Sequence, residues 1–537
     1  MNSPKERLGA ETRLIDGETL AIGDVVAISR GHCQVGFDAG VLSRIAANRA
    51  GLEALAERGV PIYGVNTGFG EMVHHWVDLK DARALQENLL RSHCAGVGET
   101  FARDEARAMM VARANSLARG YSAIRPEVVS RLVDFLNLGI TPAIPQVGSL
   151  GASGDLAPLA AMAITLIGEG YVLGDDGARV PAKPVLDLNR MSPLALQYKE
   201  ALSLINGTSA MTGLACLVLA DFRTAVAQAE IIAALALEAL QASTGAFAAA
   251  GHERAKPHPG QVASAANMRL LTAGSGLAAS HESLSHAMRE QAANGKAGTG
   301  IFMQKAYSLR CIPQVIGAVR DTVTFCAGVV ERELNSSNDN PLYFGGGELF
   351  HGGNFHGQHV AFAMDYLAIA ATQLGVISER RLNRLLSPHL NGALPAFLTR
   401  DPGPRCGFAG AQYPATALVA ENRTLCSAAS IQSVPANGDN QDVVSMGLIG
   451  ARSAKRIVRN TSYILAIELL AACQAVDLAD CAGELSPAGR AIHAFVRASI
   501  PVLDDDRYLT DEIELAAELV RQGALLSVVE QAGITLQ

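Results

Sequence analysis

The chain has 537 residues, 49% of them hydrophobic, enough for a large buried core and ordinarily for several domains. A formal charge of -8 leaves no basic footprint for nucleic acid, and acidity of this size is ordinary for a soluble protein. Aromatic residues are only 5% while alanine, leucine and valine abound, which favours close-packed helices over sheets.

From the N-terminus, Met1-Asn-Ser-Pro-Lys-Glu-Arg-Leu8 lacks the apolar core of a signal peptide, so a cytoplasmic location is expected. The nine cysteines (Cys33, Cys94, Cys216, Cys311, Cys326, Cys406, Cys426, Cys473 and Cys481) are odd in number, scattered and without a C-x-x-C pair. They read as reduced thiols, not as a disulfide framework or a zinc site. Up to about residue 210 the elements are short and punctuated, at Gly59-Val-Pro61, Gly139-Ile-Thr-Pro142 and Gly174-Asp-Asp-Gly177. Residues 1–210 are therefore read as an N-terminal lobe.

Helical periodicity then runs through 213–240, 315–334, 358–385 and 451–476, predicting a long up-and-down helical bundle with C-terminal helices over 211–537. The apolar stretch 212–242 has the length of a membrane span. Asp221, Arg223, Gln228, Glu230 and Glu238 interrupt it, so it reads as a buried helix of a soluble fold. Residues 285–300, rich in Ala, Gly, Asn and Lys, lack apolar periodicity and read as a mobile lid or an exposed connector.

The most informative segment is Pro145-Gln-Val-Gly-Ser-Leu-Gly-Ala-Ser-Gly-Asp-Leu-Ala-Pro158, with Ala152-Ser153-Gly154 at its centre. Gly154 has no Cβ, so its nitrogen can approach neighbours closed to other residues. Attack of that nitrogen on the Ala152 carbonyl closes a five-membered ring. Loss of water from that carbon, and of the Ser153 hydroxyl as a second water, leaves an exocyclic methylidene. That group accepts an amine by conjugate addition, which no unmodified side chain does. Taken alone, the tripeptide is equally a tight loop of small residues.

Further motifs decide between the two. Pro61-Ile-Tyr-Gly-Val-Asn-Thr-Gly-Phe-Gly70, Arg91-Ser-His-Cys-Ala-Gly-Val-Gly98, Gly148-Ser-Leu-Gly-Ala-Ser-Gly-Asp-Leu-Ala-Pro158 and Leu204-Ile-Asn-Gly-Thr208 occur in order. Gln304-Lys-Ala-Tyr-Ser-Leu-Arg310, Glu333-Leu-Asn-Ser-Ser-Asn-Asp-Asn-Pro341, Asn354-Phe-His-Gly357 and Asn440-Gln-Asp-Val-Val-Ser-Met446 follow. Together they resemble the ammonia-lyase and aminomutase family acting on histidine, phenylalanine and tyrosine. The resemblance implies a mainly α homotetramer whose active sites combine residues of different subunits. It also implies a methylidene-imidazolone (MIO) group formed autocatalytically from Ala152, Ser153 and Gly154, with no metal or nucleotide.

The resemblance assigns roles residue by residue. Tyr63 stands where family members place the base that removes the β-proton; an ordinary tyrosine titrates near ~10, so this needs a lowered pKa or alkaline operation. Arg310, three residues after Tyr307, is the expected bidentate clamp for the substrate carboxylate, a buried structural ion pair being the alternative. Tyr307, Gln304 and Asn206 match positions around the MIO group and the substrate's amine and carboxylate, and Phe355 one packing near the electrophile. Asp155 is suited to assist dehydration of Ser153 or to cap a helix from Leu156. His93 matches a position near the distal end of the substrate side chain, where phenylalanine-specific members are apolar. Histidine-specific members also have His there, so His93 alone does not discriminate, but they tend to carry Glu in place of Gln441, and a neutral amide suits a phenol better, with Tyr413 as a second partner for that phenol. His74, His75, His351, His356 and His359 lack an ordered carboxylate set, so no metal site is expected.

In detail the motifs look most like bacterial tyrosine 2,3-aminomutases of natural-product pathways, antibiotic biosynthesis among them. Those enzymes convert L-tyrosine to β-tyrosine through an amino-MIO adduct and a coumarate-like intermediate. One departure is Phe302-Met303, where the aminomutases carry Tyr-Leu. The expected order is tyrosine 2,3-aminomutase, then tyrosine ammonia-lyase giving coumarate and ammonia, then histidine ammonia-lyase. A catalytically silent helical scaffold is the non-enzyme alternative. Mutase or lyase outcome, product enantiomer, ring substitution and pathway stay open at this level.

Overall fold

The computed structural model describes residues 11–299 and 301–537. Among them the architecture is mainly α, with strands confined to four two-stranded sheets. One of these, Val97–Thr100 paired antiparallel with Pro145–Val147, forms the stem from which residues 148–155 emerge. The Gly174–Gly177 break is the turn of a second, joining Tyr171–Leu173 to Arg179–Pro181.

The chain clusters into two units. The first holds the described residues up to Ala220 with Cys326–Asp365 and Ala428–Arg452; the second holds Asp221–Phe325, Tyr366–Ser427 and Ser453–Gln537. This differs from the contiguous 1–210 and 211–537 reading. The boundaries near 220, 325, 365 and 452 fall inside the helices Ser209–Ala239, Ile312–Leu334, Gln358–Leu386 and Gly447–Leu478. No turn residue marks a division there.

The first unit is organised on the helix Arg103–Ala118, buried from Glu105 to Ala118. Gly213 permits a close backbone approach to it, since a Cβ there would stand 2.6 Å from the Ala108 carbonyl. Small residues, not aromatics, set this packing distance, in line with the composition. Lys199 and Asp339, both fully buried, pair at 2.7 Å, and Ser203 and Ser122 complete their hydrogen bonds. In the second unit the helices Pro259–Leu271 and Ile312–Leu334 touch at Gly260 and Gly317, where a Cβ on Gly260 would lie 2.2 Å from the Gly317 carbonyl oxygen. A buried ion pair, Arg381–Glu468, joins two more of its helical segments.

The four long helices predicted from periodicity are present, each within four residues of its predicted ends. Three of them are apolar and long enough by composition to cross a bilayer, yet 72–83% of their most apolar windows is buried within the fold. The polar residues that interrupted the 212–242 stretch explain the difference. Glu230 accepts from Asn267 at 2.7 Å and pairs with Arg320 at 3.1 Å, and Glu238 accepts from the Ser486 backbone at 2.6 Å. Partnered buried groups of this kind belong to a protein interior.

One expectation is corrected. Residues 285–293, read as part of an aperiodic lid or connector, belong to the helix His281–Ala293, capped by the Ser280 hydroxyl accepting from the Ser283 N–H at 3.0 Å. The helix buries none of its residues, so no apolar stripe was there to be read. Gly300, the end of that predicted segment, lies outside the described residues.

Candidate active site

The Ala152-Ser153-Gly154 segment bridges the Pro145–Val147 strand and the helix Leu156–Ala163, and neighbouring segments clamp it from both sides. Leu150 accepts from the Met446 N–H at 2.8 Å, and Gly151 accepts from the Ser445 hydroxyl at 2.9 Å and the Gly357 N–H at 3.2 Å. On the other side Gly154 pairs with Gly207 in an isolated parallel bridge. The Asp155 N–H donates to the Gly207 carbonyl at 2.7 Å, and the Gly207 N–H to the Ser153 carbonyl at 3.3 Å. Gly154 has φ +71° and a Cβ on it would stand 2.0 Å from the Gly207 oxygen, so no other residue fits.

The Ser153 carbonyl also accepts from the Asn206 side-chain amide at 2.9 Å. Two donors therefore converge on one oxygen, the arrangement that stabilises developing negative charge. The Ser153 hydroxyl accepts from the Gln441 amide at 2.9 Å. Gln441 thus meets the Ser153 hydroxyl, a contact that its expected role towards a phenol did not include.

Asp155 is fully buried, and desolvation raises its pKa to about 6 against the hydrogen bonds that lower it. Its carboxyl accepts from the Ser149 hydroxyl at 2.7 Å and the Met211 N–H at 2.8 Å. It occupies the N-cap position of the helix from Leu156 without a side-chain bond to it. The carboxyl instead serves the first turn of Ser209–Ala239, which corrects the capping expectation.

Beside this segment is a cavity of about 610 Å³ lined in part by Tyr63, His93, Ser153, Asn206, Phe355 and Gln441. The Tyr63 hydroxyl accepts from the Gly70 N–H at 2.9 Å, and its ring meets Phe69 edge-on at 6.1 Å between centroids. Burial pushes the Tyr63 hydroxyl above its usual value, and the Gly70 N–H offsets only part of this. A lowered pKa is therefore not what this arrangement supplies.

His93 ends the helix Ala82–His93, and its Nδ1 lies 3.0 Å from both the Leu89 carbonyl and the Ser92 hydroxyl. A carbonyl only accepts, so Nδ1 carries the proton, and Nε2 remains an acceptor.

The remaining predicted residues belong to the second unit. Gln304 and Arg310 line a separate cavity of about 340 Å³, and the Arg310 guanidinium lies 4.5 Å over the Tyr307 ring. The shared helical face is as predicted. The Nε of Arg310 is buried and without a partner, so no structural ion pair occupies that atom. Tyr307 and Tyr413 are 70% and 73% exposed, and Tyr413, on the helix Ala409–Leu425, lines neither cavity. Sequence reasoning missed Gly70, Ser149, Gly207 and Ser445 as site-building residues. All but Ser149 act across long sequence separations or through backbone groups, and no residue-type signal marks that. Among the described residues no group of three His, Cys, Asp or Glu side chains is arranged to hold a metal ion.

The profile of the family described as "Aromatic amino acid lyase" matches residues 20–498. The chain is 67% identical to the tyrosine ammonia-lyase of Cupriavidus metallidurans over 97% of its length and 98% of the relative's. It is 54% identical to the MIO-dependent tyrosine 2,3-aminomutase of Streptomyces globisporus, over 96% of each chain. The crystal structure of the tyrosine aminomutase from Streptomyces globisporus superposes with a TM-score of 0.96 at 52% identity, covering 98% of this chain and 100% of that one. The histidine ammonia-lyase of Trypanosoma cruzi superposes at 0.87 with 34% identity, covering 97% and 96%. The chain belongs to this family. It is an enzyme of the MIO-dependent aromatic amino acid ammonia-lyase and aminomutase class.

Proposed function

We propose that the protein is a tyrosine ammonia-lyase, converting L-tyrosine to coumarate and ammonia. The 67% and 54% identical relatives, both named for tyrosine, carry the choice of tyrosine, and His93, with its Nε2 left to accept from a phenol, is compatible with it. The 67% identity to a tyrosine ammonia-lyase supports the lyase outcome and revises the order expected from the motifs. Tyrosine 2,3-aminomutase is the second reading, favoured by the 54% relative and its superposition. Incubation with L-tyrosine, with coumarate and β-tyrosine separated over time, tests the choice. Coumarate from the start supports the lyase; β-tyrosine dominating at early times would replace it with the mutase.

Ala152, Ser153 and Gly154 fit an MIO group. The contact that would receive any Gly154 side chain is filled by Gly207, and the oxygen that would be the ring carbonyl already has two donors. When formed, the group supplies an electrophile for the substrate's amine. Asn206 and the Gly207 N–H hold the Ser153 oxygen. Gln441 holds the hydroxyl to be lost, and Asp155, its carboxyl raised to about 6, stands next in sequence to exchange a proton during maturation. Tyr63, as phenolate, takes the β-proton, with the Gly70 N–H as its remaining hydrogen bond. His93 accepts the phenol proton through Nε2. Arg310, stacked on Tyr307, holds the carboxylate, with Gln304 beside it. These second-unit residues and Tyr413 act in a homotetramer in which subunits share sites.

Two expectations follow. His93→Phe should lower kcat/KM for tyrosine and raise it for phenylalanine, the lost hydrogen bond costing on the order of 1 kcal/mol. An unchanged preference would remove His93 from ring recognition. The kcat/KM profile should rise with pH above neutrality, because falling pH protonates a Tyr63 whose pKa lies above its usual value. A profile level from neutrality to about pH 10 would point to another base.

A further inference from the structure

Arg113, on the helix Arg103–Ala118, is fully buried, an expensive place for a cation. Its hydrogen bonds go to neutral groups: Nη1 donates to the Asn206 carbonyl at 2.7 Å and Nη2 to the Ser116 hydroxyl at 3.0 Å. The carboxylates that act on it, Asp339 and Asp155, do so through space, and Asp339 is already paired with Lys199. Burial lowers its pKa to about 10, which leaves it a cation at neutral pH.

The carbonyl that takes this charge belongs to the Asn206–Gly207 peptide, whose N–H donates to the Ser153 carbonyl. A cation on a peptide oxygen draws electron density from the nitrogen and strengthens its N–H as a donor. The sequence Arg113 Nη1, Asn206 C=O, Gly207 N–H, Ser153 C=O is such a chain, with links of 2.7 and 3.3 Å. Gly207 keeps it compact: its φ is +136°, and a Cβ there would lie 2.4 Å from Arg113 Nη1 and 2.3 Å from Asn338 Oδ1.

We propose that Arg113 is a positioning residue that polarises the Ser153 carbonyl through the Asn206–Gly207 peptide and so raises the reactivity of the electrophile. The inference rests on the MIO reading. When a nucleophile adds, its electron pair forms the bond to the methylidene carbon, and the C=C pair moves towards the Ser153 oxygen. A proton from solvent then completes the addition at the ring carbon. Dehydration of Ser153 draws on the same oxygen, since loss of its Cα proton precedes departure of the hydroxyl. The field of Arg113 therefore favours both steps.

The test uses the full chain with Arg113→Gln and Arg113→Lys, each examined by intact mass, near-ultraviolet absorption, melting temperature and rate of reduction by sodium borohydride. Matured Arg113→Gln should absorb at shorter wavelength and be reduced about tenfold more slowly, short of the ~10²–10³ lost with a direct oxyanion donor. Arg113→Lys, which keeps the charge, should lie near the parent. A folded Arg113→Gln that retains the two waters also supports the proposal. Parental band position and reduction rate in matured Arg113→Gln overturn it, whatever the melting temperature. If Arg113→Gln does not fold, Asn338→Asp, which sets a carboxylate beside the guanidinium, must move the band the same way, and an unmoved band overturns the proposal. A parent chain that never loses two waters sinks the MIO reading instead.

Discussion

Ser153→Ala should abolish turnover, by at least about 10³-fold or on the order of 4 kcal/mol in barrier, while the protein folds and assembles normally. The reason is where the contacts of residue 153 go. Its carbonyl, held by Asn206 and Gly207, is backbone and survives the substitution. Only the bond from Gln441 to the hydroxyl is lost, a change on the order of 1 kcal/mol at a partly exposed side chain. The variant should keep its full unmodified mass, whereas the parent should weigh two waters less than its sequence. Near-parental activity in purified Ser153→Ala would end the MIO reading altogether.

Tyr63→Phe should lower kcat by about 10²–10⁴-fold, the range expected for loss of a general base, with KM changed little. The phenyl ring keeps the edge-on contact with Phe69, so the cavity wall stays in place. The Gly70 N–H loses its acceptor, at a cost on the order of 1 kcal/mol to stability. The alkaline rise in kcat/KM should disappear with the hydroxyl. If kcat is kept and KM alone rises, Tyr63 binds substrate and the base lies elsewhere.

The long helices were legible because their apolar residues repeat at helical spacing for twenty or more positions, as in Gly447–Leu478. The His281–Ala293 helix was not, since an exposed helix needs no apolar stripe. The division into units was hidden for another reason: its boundaries run through helices such as Ser209–Ala239, where local residue preferences are uniform. At the site, Tyr63, His93, Ser153, Asn206, Phe355 and Gln441 were named from motifs and the structure gathers them around one cavity. What the motifs could not convey is which atom does the work. Gly70 acts through its N–H, Asp155 turns to Met211 instead of its own helix, and Arg113 reaches the centre only through a peptide bond. Sequence patterns report side chains, and these contacts run through the main chain.

The clamp on residues 150–155 has a consequence for the life of the polypeptide. Its jaws are contributed by Gly207, Gly357, Ser445 and Met446, so the last of them leaves the ribosome nearly three hundred residues after Ser153. On the MIO reading, a nascent or misfolded chain should therefore carry an inert Ala-Ser-Gly, the reactive carbon arising only once distant parts of the translation product have met. Mass spectrometry during refolding should see native helicity return before the two waters depart. The electrophile would then act as a built-in certificate of completed folding, and cells making this enzyme would be spared a stray alkylating group on unfinished copies.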